Sequence, residues 1–189
     1  LRGDTLPPEL ADVVGRGRRS GFPQMVRSAL AHYGGCTFLE GDVAGARELF
    51  DELYEHTGQH MRGSAREWIY PAVLLGSFVG ADRLEKIAAR LDALDPKTPW
   101  MTAASHIAAS HLLNEEGKHV DAIEQVQDAI EIYQGIGDAS TTVFARVRLS
   151  RCAAKAGAVE IVREQNALVR KFIAANGAVR FEEFLPLEA

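Results

Sequence analysis

Apolar residues recur along this chain at the three- and four-residue spacing of an amphipathic helix, in blocks divided by glycine and proline, with no convincing strand-like alternation. The opening block is short. Pro7 and Pro8 predict a helix start that runs to Val14 and stops at the basic run Gly15-Arg16-Gly17-Arg18-Arg19, which reads as a linker in preference to an anion contact. Four helix pairs are expected after it. The first runs from Pro23 to Glu40, turns at Gly41-Asp42 and returns from Val43 to His56. The second runs from Ala65 to Val79, turns at Gly80 and returns from Asp82 to Leu94, where Asp95-Pro96 disfavours further helix. The third runs from Pro99 to Glu116, turns at Gly117 and returns from Val120 to Gln134. The fourth runs from Ala139 to Ala156, turns at Gly157 and returns to Ala175, with Asn176-Gly177 as the stop.

The turn glycines Gly41, Gly80, Gly117 and Gly157 recur at a nearly constant interval of roughly 40 residues. One helix–turn–helix per period of that length predicts an all-α fold, an α-solenoid of about four antiparallel pairs. A single amphipathic pair cannot bury its apolar face, and stacked neighbours can. An ordinary antiparallel bundle is the competing architecture. The expected division is an N-terminal linker with a short helix over 1–22, a repeat domain over 23–176 and a C-terminal tail over 177–189.

Within each period the residues resemble the tetratricopeptide repeat, in which a small residue on the first helix precedes an alanine twelve positions later on the second. Gly34 and Ala46, followed by Phe50, carry the likeness in the first pair. Trp68, Ala72, Ala88, Leu91 and Pro96 carry it in the second, and Ser110, Ala122, Val126 and Ala129 in the third. The fourth pair departs furthest, with Ser150, Val162 and, where a large apolar residue is usual, Asn166. The period is longer than the family's standard one. It is similar to the divergent repeats at the C-terminal end of ATPase-containing transcriptional activators of the MalT type and of multidomain adenylate cyclases. The segment Tyr133 to Asp138 and the Arg-rich helix after it add to that likeness.

Charge separates the third and fourth pairs. Residues 101–138 hold one cation, Lys118, and seven acids, whereas residues 139–176 hold seven cations and two acids. Either the two repeats neutralise each other across their interface, or a polarised surface selects an oriented, charged partner. The chain as a whole carries a net charge of −5. Phosphate contact needs clustered cations over a whole domain, so nucleic acid is not an expected partner. No apolar run is long enough to predict a membrane span. The expected setting is cytoplasmic, with Cys36 and Cys152 as reduced thiols. The chain begins at Leu1 instead of Met, as a piece of a longer protein would.

Candidate chemistry is sparse. His56 and His60 have metal-compatible spacing, but Thr57-Gly58 ends the helix between them. There is no GxxxxGK[ST] phosphate loop and no Gly-x-Ser-x-Gly elbow. No cofactor and no catalysis are expected. The resemblance implies that the first helix of each pair lines a groove and exposes His32 and Phe38, then Arg66, Ile69 and Tyr70, then His111 and Asn114, and last Arg148, Arg151 and Lys155. The last three share one helical face at i, i+3 and i+7. The family's clamp of Lys and Asn for a peptide carboxylate is absent as a set, so that activity is not carried over.

The expected function is a non-catalytic scaffold for a protein or peptide segment, or for another domain of a parent chain. The alternatives are a sensor domain in a signalling ATPase, transcriptional activator or cyclase, and a receptor for a small molecule or signalling peptide. Homodimerisation through an uncapped apolar end is a further expectation. The tail, with Phe181, Phe184 and Leu185 beside Glu182 and Glu183, either docks on the fourth pair or reaches a further domain or partner.

Overall fold

The chain reverses direction through one recurring turn. In the computed structural model, which describes residues 8–58, 81–93, 97–177 and 179–188, Gly157 has a φ of 71°. Its N–H returns to the Ala154 carbonyl, and the N–H of Ala158 returns to that of Ala153. Those two bonds satisfy carbonyls that a helix end would otherwise leave open, and only a residue without Cβ takes that backbone readily. The same pair of bonds recurs at Gly41, Gly117 and Gly137. Gly117, Gly137, Gly157 and Gly177 all have positive φ and are evenly spaced along the sequence.

Eight α-helices stand among the described residues. They are α1 (Pro8–Ser20), α2 (Pro23–Leu39), α3 (Val43–Gly58), α4 (Ala81–Asp92), α5 (Pro99–Glu115), α6 (His119–Gly135), α7 (Ala139–Ala156) and α8 (Val159–Asn176). A short 3₁₀ helix, Val179–Phe184, follows. Where consecutive helices are joined by described residues, each packs against the next, which makes a solenoid-like all-α fold. The starts are fixed locally. Thr98 accepts the N–H of Met101, Asp138 accepts that of Thr141 and Asp42 accepts that of Gly45.

The pattern of apolar positions decides which faces meet. On α4, Leu84, Ile87 and Leu91 are buried. On α7 most of the circumference is buried, from Val143 through Leu149 to Ala153, as suits a helix with neighbours on several sides. Small residues set the close approaches. A Cβ at Gly34 would meet the Phe50 ring at 3.0 Å. Ala46, Ser110, Ala122 and Ser150 are fully buried, and Val162 nearly so. The two last pairs also repeat a polar contact. His106 Nδ1 lies 2.8 Å from Gln125 Oε1, and Arg146 donates to Gln165 Oε1 at 2.7 Å, forty positions further on.

Two expectations change. The opening helix does not stop at Gly15 but continues to Ser20 and packs on α2. Gly17 is not a breaker here. A Cβ there would sit 3.1 Å from the Met25 carbonyl and 3.2 Å from the Ala29 methyl, so its bareness lets the two helices touch. The arginines of the run lie along the helix exterior, where Arg16 and Arg19 pair with Asp12 and Arg18 pairs with Glu52 of α3. Val14 joins the core, so this basic run belongs to the packed array and is not a linker. The helix expected over 65–79, including Trp68 and Ala72, lies outside the described residues, as do His60 and Pro96.

Opposite signs are expected for two glycine substitutions. Gly34→Val should destabilise the chain by about 1–3 kcal/mol, because the Phe50 ring has to move. Gly135→Ala has open space around the new methyl and should be neutral or stabilise by up to about 1 kcal/mol. Urea unfolding checks both. Equal effects would contradict the packing at Gly34.

Candidate recognition surface

The first helices of the third and fourth pairs meet along a polar seam. Arg148 on α7 donates from Nε to Ser110 Oγ at 3.3 Å and from Nη2 to the Ser110 carbonyl at 3.0 Å. One turn on, Asn114 Nδ2 donates to Cys152 Sγ at 3.2 Å, and its Oδ1 lies 2.8 Å from His119 Nδ1. At the start of the helices Trp100 Nε1 donates to Asp138 Oδ2 at 2.9 Å. Each of these bonds between the two repeats joins residues 38 positions apart, so one stacking offset governs the whole seam. Burial lowers the Arg148 guanidinium pKa and raises that of the Cys152 thiol, the latter opposed by the neighbouring Arg148 charge.

This seam corrects the expectation for three residues. His111, Asn114 and Arg148 were expected to be exposed on a groove, and all three are buried. The face of α5 that carries Asn114 meets the face of α7 that carries Arg148, through the bonds to Cys152 and Ser110. Arg151 and Lys155 lie beyond the contact and are exposed. His32 is exposed on α2, with Nδ1 2.7 Å from the Ser28 carbonyl. Phe38 is buried rather than exposed. Arg66, Ile69 and Tyr70 lie outside the described residues.

Phe38 is covered by the segment that follows α8. The Phe184 ring stacks on it with centroids 5.0 Å apart and planes 10° from parallel. Three residues earlier, Phe181 is buried among Val143, Val147 and Val169. Phe144 and Phe172 meet its ring edge-on, at 4.7 and 6.2 Å. The segment therefore docks on the fourth pair and also touches the first.

Polar groups hold the same segment. Asn166 is fully buried. It accepts from Ser150 Oγ at 2.6 Å and donates from Nδ2 to the Pro186 carbonyl and to Glu188 Oε1, both at 3.1 Å. Arg170 donates to Glu182 at 2.9 Å and to Glu188 at 2.6 Å. Hydrogen bonds from Arg170 and Asn166 hold the Glu188 carboxyl below its usual range. Asn166 is a misfit in the repeat pattern, and the misfit is this contact.

One fully buried phenylalanine contributes about 1.5–3 kcal/mol. Arg170 and Glu182 are about half exposed, so their ion pair is screened and adds little.

Two clefts adjoin this region. One, of about 520 Å³, is walled by Val143, Leu168 and Phe172, with Arg146 and Lys171 at its edge. The other, of about 610 Å³, lies between Glu124, Asp128 and Glu131 of α6 and Arg146, Glu164 and Gln165. Among the described residues no three His, Cys, Asp or Glu side chains could hold a metal ion together, and no helix is long and apolar enough to cross a membrane.

Compared with known proteins, the chain matches no family model, no curated protein and no solved structure.

Asn166→Ala should destabilise the chain by about 1–3 kcal/mol, because the buried groups facing it lose their partner. Combined with Ser150→Ala, the total should be less than the sum of the single effects. A urea double-mutant cycle measures this, and strict additivity would mean the bond adds nothing. The Glu188 contact carries a pH dependence. Its folded pKa lies below the ordinary 4.5, so its contribution is present above that value and lost as pH falls through the lowered one. In fluorine NMR of fluorophenylalanine-labelled protein, acidification should shift the Phe181 and Phe184 signals before helicity falls. Coincident transitions would contradict this.

Proposed function

We propose that this chain is a non-catalytic scaffold of tetratricopeptide-like repeats that binds a protein or peptide segment. The partner is a separate protein or a further domain of a longer parent chain. The observation that carries this reading is the charge contrast between the third and fourth pairs. Arg148 hydrogen-bonds a neutral serine and Arg146 a neutral glutamine, with Glu115 and Glu164 acting on them only through space. Arg163 and Arg170 meet carboxylates of their own repeat and of the segment after it. Arg151 and Lys155 are left exposed on α7, while the acids Glu124, Asp128 and Glu131 are exposed on α6. Complementary fields of this kind orient a charged partner and raise its association rate more than its affinity.

The mechanism is steric and electrostatic. The buried seam holds α5 and α7 at one offset, and cations one turn apart on α7 stand ready for carboxylates. An arginine can grip a carboxylate through two parallel hydrogen bonds.

An array of peptides of graded charge, probed with the labelled chain, tests this reading. Acidic peptides should be retained over basic ones. Arg151→Glu with Lys155→Glu should reduce retention by about tenfold or more, roughly the loss of two short charge contacts, with the helical circular dichroism unchanged. Arg148 is unsuitable for the reversal, because a buried glutamate there would destabilise the seam. Equal retention by both proteins would remove this surface from the reading.

A further inference from the structure

We infer that the surface formed by α7, α8 and the end of α2 is a peptide-recognition site, filled in this structure by the chain's own residues 179–188 and open to an acidic, phenylalanine-bearing segment of a partner in their place. This inference rests on the reading of the chain as a peptide-binding scaffold and supplies the chemistry of the ligand. The resident segment displays what the surface selects. Phe181 fills a socket of Val143, Val147 and Val169, walled by Phe144 and Phe172. Phe184, one turn later, stacks on Phe38. Carboxylates one and seven positions after the first ring meet Arg170. Between them a backbone carbonyl accepts from Asn166. The ligand is thus a short acidic helical turn with phenylalanines three residues apart, continuing as an extended, mainly apolar stretch that reaches a second carboxylate.

Two features separate this surface from a simple apolar cap. The first is Asn166. A cap of an array end needs only apolar contact, whereas this buried amide directs its donor at the main chain and a carboxylate of the segment. Main-chain recognition through a side-chain amide is sequence-tolerant, as binding of an exchanged segment requires. The second is charge. The segment's carboxylates lie on the repeat whose sequence has a large cationic excess. The resident Phe184 also reaches Phe38, so a partner in its place engages the first and fourth pairs together.

The test uses three versions of the 189-residue chain and a fluorescein-labelled peptide with the sequence of residues 178–188. Glu182→Lys with Glu188→Lys weakens the resident segment at exposed positions and leaves the socket intact. In fluorescence anisotropy this protein should bind the peptide about tenfold tighter than the wild type, whose site is mostly occupied and whose apparent affinity is reduced by that occupancy. Adding Arg170→Glu should abolish the gain, because it removes the cation that the peptide's two carboxylates meet. The proposal is overturned if the loosened protein, with unchanged helicity, binds no better than wild type. It is equally overturned if a peptide with both phenylalanines replaced by serine binds as well.

Hydrogen exchange on the unmodified chain gives a result that no variant's folding affects. Amides of 179–188 should exchange faster than those of α7 and α8. Equal protection would make the segment a fixed part of the core and end the proposal. If these arms fail while acidic peptides still depend on Arg151 and Lys155, the scaffold reading stands without this site. If both fail, the scaffold reading falls as well.

Discussion

Everything in this molecule depends on where its helices are made to stop. A glycine in the left-handed region closes each of the described turns from Gly117 onward, and the even spacing of those glycines fixes helix length. Equal lengths place equivalent residues of successive repeats at constant separations. The contacts within each pair, His106–Gln125 and Arg146–Gln165, recur forty positions apart. The bonds that tie the third pair to the fourth all span 38 positions. Change a helix by one residue and each of those partners rotates by about a quarter-turn out of reach.

The seam between α5 and α7 shows why register matters more than affinity between helices. Apolar contact alone would tolerate a slide along the axis. A guanidinium on a serine carbonyl, an amide on a thiol and an indole on a carboxylate tolerate none, because each misplacement strands a buried polar group. The cationic repeat is therefore held in one orientation relative to the acidic one, and the surface charge contrast has a fixed geometry.

Much of the fold was legible because its signals are local. Turn glycines, proline starts and apolar spacing place α2, α3, α5, α6, α7 and α8 to within a few residues. What failed depended on neighbours distant in sequence. Gly15 and Gly17 read as breakers because their local preference is against helix, and only the proximity of Met25 and Ala29 turns Gly17 into a contact. His111, Asn114 and Arg148 read as exposed because one helix's periodicity cannot report how far the next repeat slides over it. The contact of Phe38 with Phe184 had no signal in either segment. Asn166 did leave one, since a polar residue at an apolar position needs a partner, though not a partner that could be named.

The stack of Phe184 on Phe38 also bears on how the chain acquires its shape. Most other contacts join a helix to its near neighbours in sequence, so helix pairs can form early and independently at small loop-closure entropy. That ring pair instead joins the first repeat to the segment after the last helix. It can form only after the intervening turns have set the path between the ends, which makes it a late event in folding. It therefore reports on completion: the clasp closes only over an array whose every turn is already in place.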